Sequence, residues 1–392
     1  MKNAARLLLL LLLFGAPLRA AESPRFLIER IDVRHLKHAS PEVINAELRL
    51  HEGQTVTESE LRDADSRIKR LPFVLDATFS LERGSVRDAY VLVITVNETR
   101  PLFYLMELVP YARARNTIRE ADNAALIGGR LFAGRSGALH IAVIGTQNRR
   151  PFEADYYSTL QAGYTRYGLF GGRAFAALTI DRSIEHGEKG STLPGAVIGV
   201  ALAPNETLTI SYNASDLRGE ESRRTERHFE TRLAYDTTNQ PFFPTNGSLL
   251  SVNPFLAWTD LTGPLTRGIY ASHDSAVGLE IKAQRYWPLS DRLSFAAIGD
   301  GGAVHLSRRA SGFDTFTHTA VYYGSGTVRL SRSLGNVNTP SDADRRMELS
   351  LRVSSKERNY VPAQRDAAMQ VAVTWVRRDA WGVLRFGLGY SW

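Results

Sequence analysis

The residues best placed to do chemistry in this sequence are charged groups that recur every second position. Val277, Leu279 and Ile281 alternate with Gly278, Glu280 and Lys282, and Met347, Leu349, Leu351 and Val353 alternate with Arg346, Glu348, Ser350 and Arg352. A period of two puts ionic groups on one face of a strand and hydrocarbon on the other. The chemistry open to such a face is electrostatic. For covalent chemistry the sequence offers no candidate. It has no Gly-x-Ser-x-Gly elbow, no His-Glu-x-x-His, no Walker loop and no EF-hand pattern. The nine histidines show no metal-ligand spacing, and His186 and His318 sit in polar, loop-like contexts that read as solvated. Gly299-Asp-Gly-Gly302 lies in a strand pattern with no helix after it, so it reads as a tight spot in a strand rather than a phosphate cradle. With no cysteine there is no disulfide framework and no thiolate chemistry. The expectation is no catalytic residue, no cofactor and no metal.

The elements that position these charges are strands. From Leu102 onward two-period segments repeat between clusters of Gly, Asn, Asp, Pro and Ser. Leu208, Ile210 and Tyr212 alternate with Thr207, Thr209, Ser211 and Asn213; Met369, Val371, Val373 and Trp375 alternate with Gln370, Ala372 and Thr374. The last strand has Leu384, Phe386, Leu388, Tyr390 and Trp392 on one face, with Val383, Arg385, Gly387, Gly389 and Ser391 on the other. In a soluble sandwich the apolar faces form the core. In a membrane barrel the sense inverts, and charges line a wet lumen. The terminal aromatic, the number of successive strands and an export signal favour the barrel. About fifteen segments are countable. The even number expected for an up-and-down barrel, at roughly 18 residues per strand plus connection, predicts about 16 strands, with 12–16 as the range, over residues 99–392. Trp258, Tyr286, Trp287, Trp375, Trp381 and Trp392 fall near strand ends, where interfacial girdles form. Arg223-Arg224 and Arg345-Arg346 read as loop or rim charges.

Residues 1–20 read as a secretory signal: Lys2 and Arg6, an apolar run from Leu7 to Phe14, and Leu18-Arg19-Ala20 before the cut. Its removal lowers the net charge from +7 to +4 (7 minus 3, for Lys2, Arg6 and Arg19). So mild a basic excess argues against a nucleic-acid partner. Mean hydropathy is -0.21, a value that a barrel shares with soluble proteins because its two faces average out.

Residues 24–98 predict a small α+β domain in the order β-α-α-β-β, with a three-stranded sheet. Phe26–Val33 is the opening strand. Ser40-Pro41 starts a helix burying Val43, Ile44, Leu48 and Leu50. Thr57-Glu58-Ser59-Glu60 is a capping box for a second helix burying Leu61, Ala64, Ile68 and Leu71. Phe73–Leu81 and Tyr90–Val96 are two strands joined at Arg83-Gly84-Ser85. Open sheet edges can pair with an extended chain.

That order, with Lys69–Ala77 and Val91–Glu98, resembles a POTRA domain (polypeptide-transport-associated domain). Tyr235-Asp-Thr-Thr-Asn-Gln-Pro-Phe-Phe-Pro-Thr-Asn-Gly247, containing Asp236, Phe242, Phe243, Pro244 and Gly247, resembles a hairpin of the outer-membrane superfamily that joins POTRA domains to a 16-stranded barrel. That superfamily comprises barrel-assembly, translocation-assembly and two-partner-secretion proteins. Asn246-Gly247 is also a good tight-turn pair. Gln284–Leu293 is similar to the next hairpin, and Phe386–Trp392 to the family's assembly signal.

The resemblance implies an outer-membrane barrel with a periplasmic N-terminal domain. Its implied role is insertion or translocation of polypeptides, with no enzymatic activity. The implied partners are outer-membrane lipid, an unfolded or secreted polypeptide client, and the general barrel-assembly machinery for the protein's own insertion. The alternative is a passive pore or structural surface barrel with a vestigial POTRA domain. The family also places Val-Arg-Gly-aromatic on a loop folded into the lumen. Here Tyr322–Leu330 keeps Val-Arg but has Leu330 for the glycine, making Arg329 the first candidate for the lumen-loop arginine. Arg267, in Leu265–Tyr270, is the second. Glu280 and Glu348 lie on predicted lumen faces.

Overall fold

The computed structural model describes residues 24–113, 117–133, 136–147, 156–184, 191–218, 223–240, 244–265, 268–310, 316–335, 343–359 and 364–391. The signal segment 1–20, Phe242, Phe243, Arg267, His186 and Trp392 lie outside them.

The N-terminal domain runs β1 (Arg25–Arg34), α1 (Pro41–Leu48), β2 (Thr55–Thr57), α2 (Glu58–Lys69), β3 (Val74–Arg83) and β4 (Ala89–Glu98). Its sheet has four strands in the order β2-β1-β4-β3 rather than three. The unforeseen strand is the extended approach to α2: Thr55–Thr57 pairs antiparallel with Leu27–Arg25 before Thr57 turns into the helix. Three residues are too few for a two-period pattern to register. The capping box is formed, with Thr57 Oγ1 accepting from the Glu60 amide and the Glu60 carboxylate accepting from the Thr57 amide at 2.7 Å. Ser40 precedes Pro41 at the start of α1 but makes no side-chain cap. Val43, Ile44, Leu48, Ala64 and Ile68 are fully buried, with Leu50 and Leu71 close behind, against Ile28, Leu92 and Ile94 from the sheet.

The barrel follows as β5 (Leu102–Arg113), β6 (Thr117–Ala133), β7 (Gly137–Gln147), β8 (Tyr156–Gly168), β9 (Ala174–Ile184), β10 (Ser191–Ala203), β11 (Glu206–Arg218) and β12 (Arg223–Asp236). It continues with β13 (Gly247–Leu265), β14 (Gly268–Ser290), β15 (Leu293–Ala310), β16 (Phe316–Ser333), β17 (Ala343–Asn359), β18 (Gln364–Asp379) and β19 (Gly382–Ser391). These fifteen strands close in sequence order. The expected even count is therefore corrected to an odd one. So is the all-antiparallel pairing: with an odd number of up-and-down strands the first and last must run the same way, and β19 pairs with β5 in parallel, Gly382 opposite Tyr104 through Ser391 opposite Arg113.

The apolar side chains face outward. Leu131, Leu178, Val277, Leu349, Val373 and Leu388 are each about half exposed or more, while Glu348 is 4% exposed on the inner face. An apolar exterior around an ionic interior is the arrangement a bilayer stabilises. Trp287 and Trp381 are exposed as a girdle requires, but Tyr286 is buried on the inner face and donates to Gln284 Oε1 at 2.7 Å. Arg346, expected at the rim, is also buried within β17. No helix among the described residues is long and apolar enough to cross a membrane, which says nothing against crossing by strands.

A lumen ion cluster, a parallel seam and a docked domain

Strand parity aims a set of ions at one point in the lumen. Glu107 on β5, Arg329 on β16, Glu348 on β17 and Arg385 on β19 all occupy inward positions. Arg385 donates from Nη1 to Glu107 Oε1 at 3.2 Å and from Nη2 to Glu348 Oε2. Arg329 Nη1 lies 3.6 Å from the same Glu348 oxygen. Ser331 and Thr374 hydroxyls complete the Glu348 shell at 3.4 and 3.5 Å. One buried carboxylate is thus held between two guanidinium groups, which offsets the cost of removing it from water. Beside this cluster is a cavity of about 170 Å³ lined in part by Asp300, Thr327, Arg352 and Gln370. Lower acidity on the wall is absorbed by hydroxyls: Tyr323 donates to Glu280, and Ser325 to Asp300. No group of three or more His, Cys, Asp or Glu that could hold a metal ion occurs among the described residues.

Arg329, the first loop candidate, therefore sits within a strand rather than on an infolded loop. The change of Gly to Leu330 fits this, since Leu330 faces outward on β16 and is 38% exposed. The structure brings Arg329 to Glu348. Arg385 and Glu107 carried no motif; the signal that could have found them is parity, because both occupy polar-face positions on strands with apolar partners one residue away.

In the Tyr235–Gly247 segment, Asp236 ends β12 and accepts from the Thr238 amide and hydroxyl at 2.8 and 2.7 Å. Asn246-Gly247 is not a two-residue turn, since ten residues separate Asp236 from Gly247. Asn239 closes this longer loop by accepting from the Thr245 amide at 3.0 Å, and Pro244 sits beside that closure. Gly247 opens β13 at φ +102°, where a Cβ would stand 2.2 Å from the Thr237 carbonyl oxygen. The Gln284–Leu293 segment does form a tight hairpin, turning at Asp291-Arg292.

The seam between β19 and β5 is pinned at its base. The Tyr104 amide donates to the Trp381 carbonyl at 2.7 Å, and the Arg100 amide to the Ala380 carbonyl at 2.7 Å. Gly382 approaches so closely that a Cβ would meet the Tyr104 carbonyl. Above Phe386 opposite Leu108 the register is interrupted at Gly387-Leu388 and Val109-Pro110, then resumes over three pairs. Proline has no amide hydrogen to give a ladder.

The N-terminal domain docks on the same end of the barrel through arginines that donate to main-chain carbonyls. Arg49 reaches Ala203 at 3.0 Å, Arg70 reaches Thr238 at 3.1 Å, Arg130 reaches Pro72 at 3.3 Å, and Arg378 reaches Val74 at 3.1 Å. Arg67 caps the end of α1 by donating to Glu47 and Leu48 carbonyls and extends to Pro204 at 3.4 Å. Burial, with Arg49 and Arg70 nearby, lowers the Arg67 pKa to about 10, so it stays charged at neutral pH. Phe73 meets Phe132 and Tyr167 edge-on, with ring centroids at 4.9 and 6.1 Å. Gly172 lets a barrel turn pass Ala46 of α1, whose Cα and carbonyl oxygen would lie 3.1 Å from a Cβ there.

These features define a closed β-barrel with an apolar exterior, an ion-paired lumen and a small α/β domain fixed under its mouth. Residues 142–335, from within β7 to just beyond β16, match the Omp85 superfamily domain, and the barrel belongs to that superfamily. Among solved structures the chain is similar to BamA from Haemophilus ducreyi lacking POTRA domains 1–3, at 13% identity over 94% of this chain and 85% of that one, with a TM-score of 0.40. It is also similar to CdiB from Escherichia coli, at 9% identity over 94% and 73% with a TM-score of 0.43, and to CdiB from Acinetobacter baumannii, at 9% over 94% and 74% with 0.40. At those scores the assignment rests on the domain match. No curated protein sequence matches the chain.

Proposed function

We propose that this chain inserts polypeptides into, or passes them across, the bacterial outer membrane, with residues 24–98 acting as a periplasmic POTRA-type domain. The observation that carries the reading is the docking of that domain on the mouth of an Omp85 barrel, next to the strand seam. β3 is the outer strand of its sheet, so its free edge can take an extended client by strand addition. β3 begins at Val74, whose carbonyl is held by Arg378 of the barrel. A client paired there is delivered to the barrel rim. No step is covalent.

The test is reconstitution in liposomes, with a urea-unfolded eight-stranded outer-membrane polypeptide as client. The full chain should accelerate client folding over protein-free liposomes. A variant lacking residues 26–98, checked for a folded barrel by gel shift, should lose that acceleration. The second reading, a passive pore, is favoured by the place of Arg329 within a strand instead of on an infolded loop. It predicts conductance that persists without the N-terminal domain and no effect on client folding.

A further inference from the structure

Three arginines stand on the outer face of the barrel, at the end that carries the N-terminal domain. Arg332 lies near the end of β16, Arg345 near the start of β17 and Arg377 near the end of β18. The next residue, Arg378, is the one that donates to Val74 of that domain. Strand parity puts all three outside. Arg332 shares a face with Val328 and Leu330, Arg345 with Met347 and Leu349, and Arg377 with Val373 and Trp375. Register then brings them together. Arg345 is directly opposite Arg377, and Arg332 is opposite Met347, one diagonal step from Arg345. Side chains so placed have Cβ atoms about 5 Å apart when opposite and about 7–8 Å apart on the diagonal. Like charges directly opposite destabilise a sheet. The arrangement therefore calls for an anion.

The chain itself supplies little of one. Among the described outward positions at these strand ends the carboxylate is Asp379, and both its oxygens are engaged. Oδ1 accepts from the Trp381 and Gly382 amides at 2.9 and 3.1 Å. Oδ2 accepts from the Tyr104 hydroxyl at 3.5 Å and pairs with Arg377 at 2.9 Å. Arg377 Nε is enclosed with no acceptor. The side chains of Arg332 and Arg345 are exposed and donate to no group among the described residues. Their inward neighbours show the contrast. Arg346 is held by Asp344 at 2.8 Å, and Arg378 by the Val74 carbonyl at 3.1 Å.

We propose that the outer rim of β16–β18 is a binding site for the phosphate of an anionic phospholipid, with Arg332, Arg345 and Arg377 as its donors. The lipid belongs to the leaflet on the side of the N-terminal domain. The inference goes beyond the proposed function and needs only that the barrel span a bilayer. Charge argues for an anionic headgroup, since three arginines against Asp379 leave an excess of two positive charges (three minus one). Guanidinium forks match phosphate oxygens. Continuity argues for a lipid over a soluble anion. Met347, Leu349 and Val373 continue from the arginines as exposed hydrocarbon, and Trp375 and the exposed Trp381 flank them as interfacial aromatics do. A phospholipid carries its phosphate and acyl chains in that same order.

The test is native mass spectrometry of the full chain released from detergent micelles that contain phosphatidylglycerol or phosphatidylcholine. The native chain should retain phosphatidylglycerol several-fold over phosphatidylcholine. The R332Q/R345Q double variant should lose that preference, while R87Q, at an exposed site in the N-terminal domain, should keep it. Equal retention of the two lipids by the native chain, or an unchanged preference in the double variant, overturns the site. Displacement of phosphatidylglycerol by millimolar inorganic phosphate, but not by chloride of equal ionic strength, overturns the lipid assignment in favour of a soluble anion. A second measurement separates lipid binding from a purely structural role. Heat-modifiable migration is followed in vesicles of each lipid. R345Q relieves the opposition to Arg377, so it should match or exceed the native midpoint in phosphatidylcholine and fall below it in phosphatidylglycerol. The same change in both lipids would overturn the site.

Discussion

Arg385 and Glu107 stand directly opposite each other across the only junction where the barrel's two ends meet, joined by a 3.2 Å ion pair between residues 278 positions apart in sequence. Glu348 binds the same guanidinium and is almost fully enclosed. Replacing Arg385 with Ala leaves two carboxylates short of their partner. The expected loss of barrel stability is about 3 kcal/mol, the order found when one member of a buried pair is removed. Urea titration in detergent, followed by the folded-to-unfolded gel shift, measures it. Arg329→Ala should cost less, because its contact with Glu348 is longer and Arg385 remains.

The exterior must be apolar where it meets acyl chains. Leu388→Arg places a charge about midway along the seam, on a side chain 73% exposed to the outside. The expected cost is about 2–4 kcal/mol, the range for a basic residue at the bilayer midplane. Leu388→Thr should be much milder. Phe386→Ala and Trp392→Ala are expected to impair assembly of the protein into membranes, read by fractionation and heat-modifiable migration. Unchanged migration in both would remove the assembly role of the terminal strand.

Arg67 holds the end of α1 and reaches the barrel from one side chain. Arg67→Ala should free the Glu47 and Leu48 carbonyls inside a buried shell, lowering N-terminal-domain stability by about 1–3 kcal/mol. Arg67→Lys should recover little, since an ammonium cannot reproduce the guanidinium fork that serves several carbonyls at once. Hydrogen exchange of the α1 amides reports both variants.

Acid should loosen the β3–β4 turn. Glu29 accepts from the Ser85 amide at 2.7 Å and from its hydroxyl, and these hydrogen bonds hold the carboxyl below its ordinary value of 4.5. The sign follows: the contribution is complete above the unfolded-state pKa and is lost as pH falls through the lower folded-state value. Exchange of the turn amides should therefore rise at acid pH in the native chain. In Glu29→Gln the same amides should show no such acid step.

Asp65 titrates in the opposite sense. Burial raises its pKa, against the pull of Lys69 at 2.9 Å. A raised carboxyl pKa means that the folded state binds the proton more tightly, so this group's contribution falls as pH rises from the unfolded value through the folded one. Asp65→Asn should be near neutral or mildly stabilising at pH 7 in thermal unfolding of the N-terminal domain.

Much of this molecule was legible one element at a time. Thr57 and Glu60 announce the start of α2, and Val43, Ile44, Leu48, Ala64 and Ile68 form the buried face their spacing predicts. The alternation of Met347 to Val353 with Arg346 to Arg352 separates an apolar face from an ionic one, because a strand's two faces are set by parity; which of the two lies outside is not in the alternation itself. Such signals are local, and a chain carries them before it folds.

Three things were decided only when distant segments met. The odd strand count with a parallel closure is a property of the whole circuit, and no single strand encodes it. The grouping of Glu107, Arg329, Glu348 and Arg385 depends on register across four strands, which hydrogen-bond ladders fix and composition does not. The docking of the N-terminal domain uses arginines donating to main-chain carbonyls at Ala203, Pro204, Thr238 and Val74. Every residue carries that acceptor, so the sequence carries no mark of where such a contact will form.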